Sequence, residues 1–436
     1  MSAFTLLFTW ALISFAVSDM RVLKSISILV LAICAYLSLS LSPMILSGFS
    51  SSGGIALFEL ILFIVMGAVI LSEDEKITIT QSIFITTASV ALLQSASFLN
   101  FIISFEALSI ISFVLVSHIK NENEAKGAIK MYISGAIATA LIVLGSAFYL
   151  FENHPLNAPL ENVSIFGVTG LWIILTGLFY KLTIVPMHTW AADSYAEVRP
   201  THSAILSGVA KTVAFIAIFK FFTPFFTQNL DLNMPILITL ALLTMTLGNF
   251  LALFQKKISK ILAYSSIAHA GYMLLAFVAI KSSFASTGLL YMAIAYIFMQ
   301  TALFLLLDKL SKGKTDIYLN DFKGLYQKDK TSALLFTIQL FSLAGVPLLA
   351  GFISKAILVY AVVDVNLPIV ALITLLNSAL SVGYYAWIVK HIYFDETNPY
   401  SKLIKLDKIP LIAQFILLAG TIYFGIFAYS VLGVNN

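Results

Sequence analysis

Five ionisable side chains stand inside long apolar runs of this 436-residue chain, and their types point to one kind of chemistry. Glu106 lies in SFEALS, Lys181 in FYKLTIVP, Lys211 in SGVAKTVAF, His269 in SSIAHAGY and Lys355 in GFISKAIL. Carboxylate, amine and imidazole all take up and release protons. Desolvation disfavours a charged lysine and a nearby carboxylate favours it, so the distance between partners sets which group holds the proton. That combination suits a proton relay. No nucleophile–base–oxyanion arrangement accompanies it, and too few His, Cys and carboxylate groups remain for an intramembrane metal site. The single cysteine, Cys34, cannot form an internal disulfide or a Cys-rich cluster, and CxxC, GxGxxG and P-loop motifs are absent from the sequence. No redox cofactor, nucleotide or metal is expected in this chain.

The elements that must position these groups follow from composition. With 60% hydrophobic and only 11% charged residues, and a mean hydropathy of +0.98, a water-soluble enzyme is excluded. Apolar segments of about 20 residues joined by short loops predict an all-α polytopic membrane protein rather than a β-barrel. The predicted spans, fourteen in number, lie near 3–18, 22–42, 54–71, 78–95, 98–118, 126–150, 165–190, 201–221, 234–254, 258–280, 284–308, 331–363, 367–390 and 410–432. The fourth is the weakest, being rich in Thr and Ser; the first reads as a retained helix rather than a cleaved signal. Pro186 in the seventh and Gly345-Val346-Pro347 in the twelfth predict discontinuous helices, because proline removes a helical hydrogen bond and an unwound turn persists in a membrane only against protein or a hydrated cavity.

Fourteen spans place twenty Lys and Arg residues, from Arg21 to Lys408, in one set of loops and only Lys220 and Lys281 in the other. By the positive-inside rule the crowded side is cytoplasmic and both termini face outward. The remaining three lysines are those inside spans. Lys211 stands about ten residues into its span, roughly 15 Å and so near the midplane; Ser203 and Ser207 precede it at helical spacing. Snorkelling is the competing reading for all three lysines, and its reach of about 6 Å is too short for Lys211. A carboxylate at the depth of Glu106 must be paired, protonated or hydrated. Glu59 is shallower and suits an interfacial role. His269 competes with a simple packing histidine. His188, in VPMHTW beside Trp190, serves equally as a cap for freed carbonyls or as a relay. His118, His202 and His391 at span ends and His154 in an outer loop are weak candidates.

The stretches SFEALSIISFVLV, FYKLTIVPMHTWAADSY, SGVAKTVAF, KISKILAYSSIAHAGYMLLA and FSLAGVPLLAGFISKAILV together resemble the antiporter-like proton-channel subunits of respiratory complex I, of the N type. The resemblance implies two inverted five-helix repeats, 78–222 and 234–390, each a proton half-channel. A three-helix unit, 1–75, would precede them, and a loop with the last helix, 391–436, would follow. It implies that Glu106 pairs with Lys181, that Lys211 bridges the halves and that Lys355 is the terminal residue. The chain would then be a non-redox subunit of a proton-translocating NADH:quinone oxidoreductase, a translocase in a hetero-oligomer of the cell inner membrane. Quinone, flavin and iron–sulfur clusters would sit in other subunits. After Trp190 the chain departs from the family's usual Pro-Asp and Gly-Ala-Pro-x-Pro pattern, with Ala192-Asp193 and Glu197-Val198-Arg199-Pro200-Thr201 instead. Two alternatives remain open: a D-type subunit of a cation/proton antiporter, and a solute transporter with a midplane site.

Overall fold

The computed structural model describes residues 3–40, 51–117, 119, 122–151, 165–228, 230–399 and 401–428. His118 and His154 lie outside the described residues. The helices in chain order are α1 (Ala3–Ser14), α2 (Met20–Ser40), α3 (Ser51–Ser72), α4 (Lys76–Leu93), α5 (Phe98–Val116), α6 (Glu122–Leu150), α7 (Ile165–Leu182), α8 (Thr189–Glu197) and α9 (Pro200–Ser203). They continue as α10 (Lys211–Gln228), α11 (Leu230–Leu253), α12 (Ile258–Val278), α13 (Ala285–Ser311), α14 (Leu325–Lys328), α15 (Lys330–Ala344), α16 (Ala350–Asp364), α17 (Pro368–Tyr393) and α18 (Lys408–Ile426). Twelve are long and apolar enough to span a membrane, counting α9–α10 as one. With α1 and the α15–α16 pair they make the fourteen crossings expected.

The Thr- and Ser-rich α4 is a helix because its hydroxyls are satisfied locally: Ser82, Thr86 and Thr87 donate to the carbonyls four residues earlier at 2.7–2.9 Å. Small residues decide the closest helix contacts. A Cβ on Gly145 of α6 would meet the Gly170 carbonyl of α7 at 2.5 Å, and one on Gly271 of α12 would meet the Met245 nitrogen of α11 at 2.5 Å. Without a hydrophobic force between helices in lipid, such close backbone approach supplies the packing energy. The whole apolar window of α13 is buried, so α13 and the nearly enclosed α12 form the centre of the bundle.

Ion pairs show which loops share a face. Lys24 near the start of α2 meets Asp74 after α3 at 3.2 Å, Arg199 before α9 meets Glu73 and Asp308, Lys257 before α12 meets Glu197 at the end of α8, and Lys309 at the end of α13 meets Asp74. These are all loops of the lysine-rich set. On the opposite face Lys220 donates to the Leu93 and Ser95 carbonyls, and Ser282 to Asp364. The alternation read from the charges is therefore the alternation of the fold.

Both expected breaks are present. Between α7 and α8 the chain is non-helical, with Thr183 at φ 58° and a cis Val185–Pro186 bond. Between α15 and α16, Gly345 takes φ 92° and Leu348 φ 74°. Gly345 is a left-handed helix cap, a conformation glycine adopts without steric cost.

Candidate functional site

At the first break, the freed backbone is satisfied by neutral groups. The Trp190 indole donates to the Tyr180 carbonyl at 3.2 Å, and the Thr244 hydroxyl accepts from the Val185 amide at 3.1 Å. Trp190 thus caps one freed carbonyl of the break, and the His188 ring lies beside another, that of Pro186. His188 is half-buried, and its Nδ1 makes no hydrogen bond. Lys181, in the last turn of α7, is buried and donates to Ser112 of α5 at 2.9 Å.

Glu106 lies on the same helix as Ser112. Each of the two groups has its own hydrogen bond: Glu106 Oε2 accepts from Thr139 of α6 at 3.0 Å, while Lys181 turns to Ser112. No ion pair within 4 Å joins them, although each lies in the other's electrostatic field. The reason is geometric. Glu106 is half-buried on a face of α5 whose neighbours Ile103 and Ile110 are exposed, whereas Lys181 points into the bundle.

Lys211 is fully buried. Its ammonium donates to the Ser266 carbonyl at 2.7 Å and to the Ser266 hydroxyl on α12, reaches Thr183 at the first break at 3.4 Å, and stands 5.6 Å from the centre of the Tyr296 ring. A π-helical segment, Ala204–Ala210, leads into it, and the Lys211 amide bonds to the Leu206 carbonyl. Such a widened turn inside a helix re-aims the residues that follow. Ser203 is the N-cap residue of this segment and Ser207 lies on it, accepting from Gln300 of α13 at 3.3 Å.

His269 continues the line across α12. Its Nδ1 lies 2.9 Å from the Ser265 carbonyl, its Nε2 is buried without a hydrogen-bond partner, and its ring packs 5.1 Å from that of Tyr296. It lies within the electrostatic reach of both Lys211 and Lys355. Lys355, on α16 beyond the second break, turns back to cap it: Nζ donates to the carbonyls of Leu343 at 2.8 Å and Ala344 at 3.2 Å, and to Ser378 of α17 at 3.2 Å. A cavity of about 560 Å³ adjoins Lys355, lined among others by Tyr272, Gly345 and Ser378.

Sequence reasoning missed the hydroxyl and amide groups between these charges. Ser265 is bonded to Tyr385, Tyr384 donates to Asn249 at 3.0 Å, and Asn249 donates to Tyr272 and to Asn377. Thr374, Asn377, Ser381 and Tyr384 recur along α17 every three or four residues, a polar stripe legible in the sequence. Glu59, taken as interfacial, is buried and accepts from Ser38 at 3.0 Å and Gln94 at 2.9 Å. It belongs to a separate cluster that joins α2, α3 and the end of α4.

The family described as NADH:quinone oxidoreductase/Mrp antiporter, transmembrane, matches residues 95–381, about two thirds of the chain and all five buried groups. The chain belongs to this family. The F(420)H(2) dehydrogenase subunit N of Methanosarcina mazei is 30% identical over 341 residues, 74% of this chain and 69% of that protein. The NADH-quinone oxidoreductase subunit N of Coxiella burnetii is 30% identical over 78% of this chain and 72% of its own length. The fold of the family is also that of solved chains. One from respiratory complex I of Thermus thermophilus superposes with a TM-score of 0.84, 23% identity, and 99% and 98% coverage. One from the Mrp complex of Dietzia sp. DQ12-45-1b superposes with 0.89, 16% identity, and 98% and 94% coverage.

Proposed function

We propose that this chain carries protons through the membrane arm of a quinone-reducing complex, driven by redox chemistry in other subunits and holding no redox group itself. The observation that carries the reading is the placement of Lys211. An enclosed amine bonds on one side to Thr183 at the first break and on the other to Ser266, three residues before His269, which lies in the field of Lys355. Together with Glu106 and Lys181 these groups make a line of exchangeable protons through the bundle, with His188 beside the first break. Moving one charge against 100 mV costs about 2.3 kcal/mol, within what a change in a few buried charge contacts supplies.

In this reading 78–222 and 234–390 are the two repeats, each built around its broken helix, and 1–75 is an added three-helix unit. The lysine-rich face is cytoplasmic, the membrane is the cell inner membrane, and both termini lie outside. Glu106 supports a partner subunit: a carboxylate left half-buried at membrane depth, between exposed Ile103 and Ile110, needs a neighbouring protein surface to cover it. The proposal does not depend on the electron donor, over which the relatives' own names differ.

The test is proton pumping per electron in membrane vesicles. Lys211→Ala should abolish it with the subunit still assembled; unchanged pumping in that variant would falsify the relay. The second reading, a subunit of a cation/proton antiporter, is favoured by the fold match to the Mrp chain. Sodium flux that follows the proton gradient and disappears in Lys211→Ala would select it.

A further inference from the structure

The lysine-rich face holds a cavity of about 430 Å³ lined mainly by charged residues. Glu75 at the start of α4, Glu124 of α6, Arg199 before α9, Lys312, Lys314 and Asp316 after α13, and Lys402 line it. Arg199 is not a free cation: it bonds to both oxygens of Asp308 at 2.9 and 3.0 Å, to Glu73 at 3.2 Å and to Glu75 at 3.0 Å. This clamp fixes the turn into α9 beside the cavity.

His202 also lines the cavity, yet only 3% of it is exposed. Its Nε2 lies 3.5 Å from the Thr78 hydroxyl of α4. The next residue, Ser203, is the N-cap of the π-helical segment, Ser207 lies on it, and Gln300 of α13 is bonded to Ser207. The Gln300 Oε1 and the Thr301 hydroxyl are buried there without hydrogen-bond partners, the kind of group that takes up ordered water. The segment ends at Lys211.

We infer that His202 is the proton-loading residue of this chain, taking protons from the aqueous cavity on one ring nitrogen and releasing them from the other toward the Ser203–Ser207–Gln300 line and Lys211. Of the cavity's titratable groups it alone is both enclosed and placed at the start of that line. Glu124 is also buried but stands on α6, away from that line, while Glu75 is paired with Arg199 and Asp316 with Lys257. The sequence gives no warning of this role, because a histidine three residues from a span end reads as interfacial.

The inference rests on the relay reading, and the experiment separates the two. In the assembled complex in vesicles, His202→Gln should lower pumping at least severalfold, most at alkaline pH where protons are scarce, and added imidazole should restore part of the rate. Lys211→Ala in parallel tests the relay itself: its normal pumping sinks that reading. Blocked Lys211→Ala with wild-type His202→Gln overturns the loading role alone. A loss in His202→Gln that is equal at every pH and indifferent to imidazole marks a structural histidine and also overturns it. Should His202→Gln fail to assemble, Lys314→Cys, with labelled wild-type complex as the control for thiols of other subunits, places an exposed thiol at the cavity in a chain whose one other cysteine, Cys34, is buried. Labelling it with a bulky maleimide should slow pumping relative to the unlabelled variant, and undiminished pumping after full labelling overturns the assignment.

Discussion

The two broken helices carry the same signature, a proline break with one lysine in the broken span, and they use that lysine differently. At the break between α7 and α8 the freed backbone is capped by the Trp190 indole and the Thr244 hydroxyl, so Lys181 bonds only to the Ser112 side chain. At the break between α15 and α16 no indole stands nearby to do this, and the Lys355 ammonium itself caps two carbonyls at the negative end of α15. A lysine held by one hydroxyl is free to gain and lose a proton with little structural consequence. A lysine that caps a helix end cannot change state without disturbing the break. The first site is thus built for exchange, and the second couples protonation to backbone geometry.

The largest difference should appear on truncating each lysine. Lys355→Ala removes the last group of the proposed relay and takes the Lys355 cap from the Leu343 and Ala344 carbonyls, a penalty of roughly 1–3 kcal/mol for each buried group left unsatisfied. It should both stop pumping and lower the thermal stability of the complex. Lys181→Ala should stop pumping alone, because Ser112 keeps its own bond to the Leu108 carbonyl at 2.7 Å. Equal unfolding temperatures for the two variants, measured on purified complex, would erase the distinction between the breaks.

Glu106 sharpens the first site. Because it meets Lys181 through the field rather than by contact, Glu106→Gln should reduce pumping by about tenfold, equivalent to ~1.4 kcal/mol, rather than abolish it. Glu106→Asp should do less damage, and Thr139→Val, which removes only the hydroxyl donor to Glu106, least of the three. Pumping rates in vesicles, normalised to assembled subunit, rank the set; a null phenotype for Glu106→Gln would require a contact pair formed during turnover.

How much of this was legible in the sequence follows from what each feature depends on. Fourteen crossings, the shared faces of the loops and both breaks rest on local signals, namely apolar length, charge placement and Pro or Gly, and these the chain states directly. The depth of Lys211 follows from counting residues. What the sequence could not show is which polar groups meet. The Glu106–Thr139 and Lys181–Ser112 bonds depend on the rotation of α5 against α6 and α7, and the shift of the α10 helix depends on the π-helical segment, which has no sequence mark. Arg199 was counted as one more charge on the lysine-rich face, whereas it joins three carboxylates contributed by two separate parts of the chain.

The cap at the first break predicts a smaller effect. Trp190→Phe keeps an aromatic ring against Tyr180, 4.7 Å away centre to centre, but removes the N–H. The Tyr180 carbonyl retains the Thr183 amide at 3.1 Å, so the loss should be about 1 kcal/mol, near the net worth of one hydrogen bond. Pumping should change little if Trp190 only holds the break in place; denaturant titration of the purified complex measures the stability term separately.

The smallest effect lies outside the membrane, on α8 just beyond the same break. Burial opposes the charge of Asp193, but its contacts with Lys130 of α6 and with Lys260 of α12 at 3.2 Å outweigh that and hold its carboxyl below the usual range. A carboxylate whose folded value is depressed adds stability that is complete above its unfolded value, near 4, and is lost as the pH falls through the folded value. The contribution should therefore be constant across the neutral range and vanish only in strong acid. Because about a third of the side chain is exposed, solvent and salt screen it, and Asp193→Asn should cost less than about 1 kcal/mol. The cost should shrink further in high salt. A pH-dependent loss of stability between pH 6 and 8 that disappears in Asp193→Asn would show that this carboxyl titrates near neutrality and would overturn the assignment.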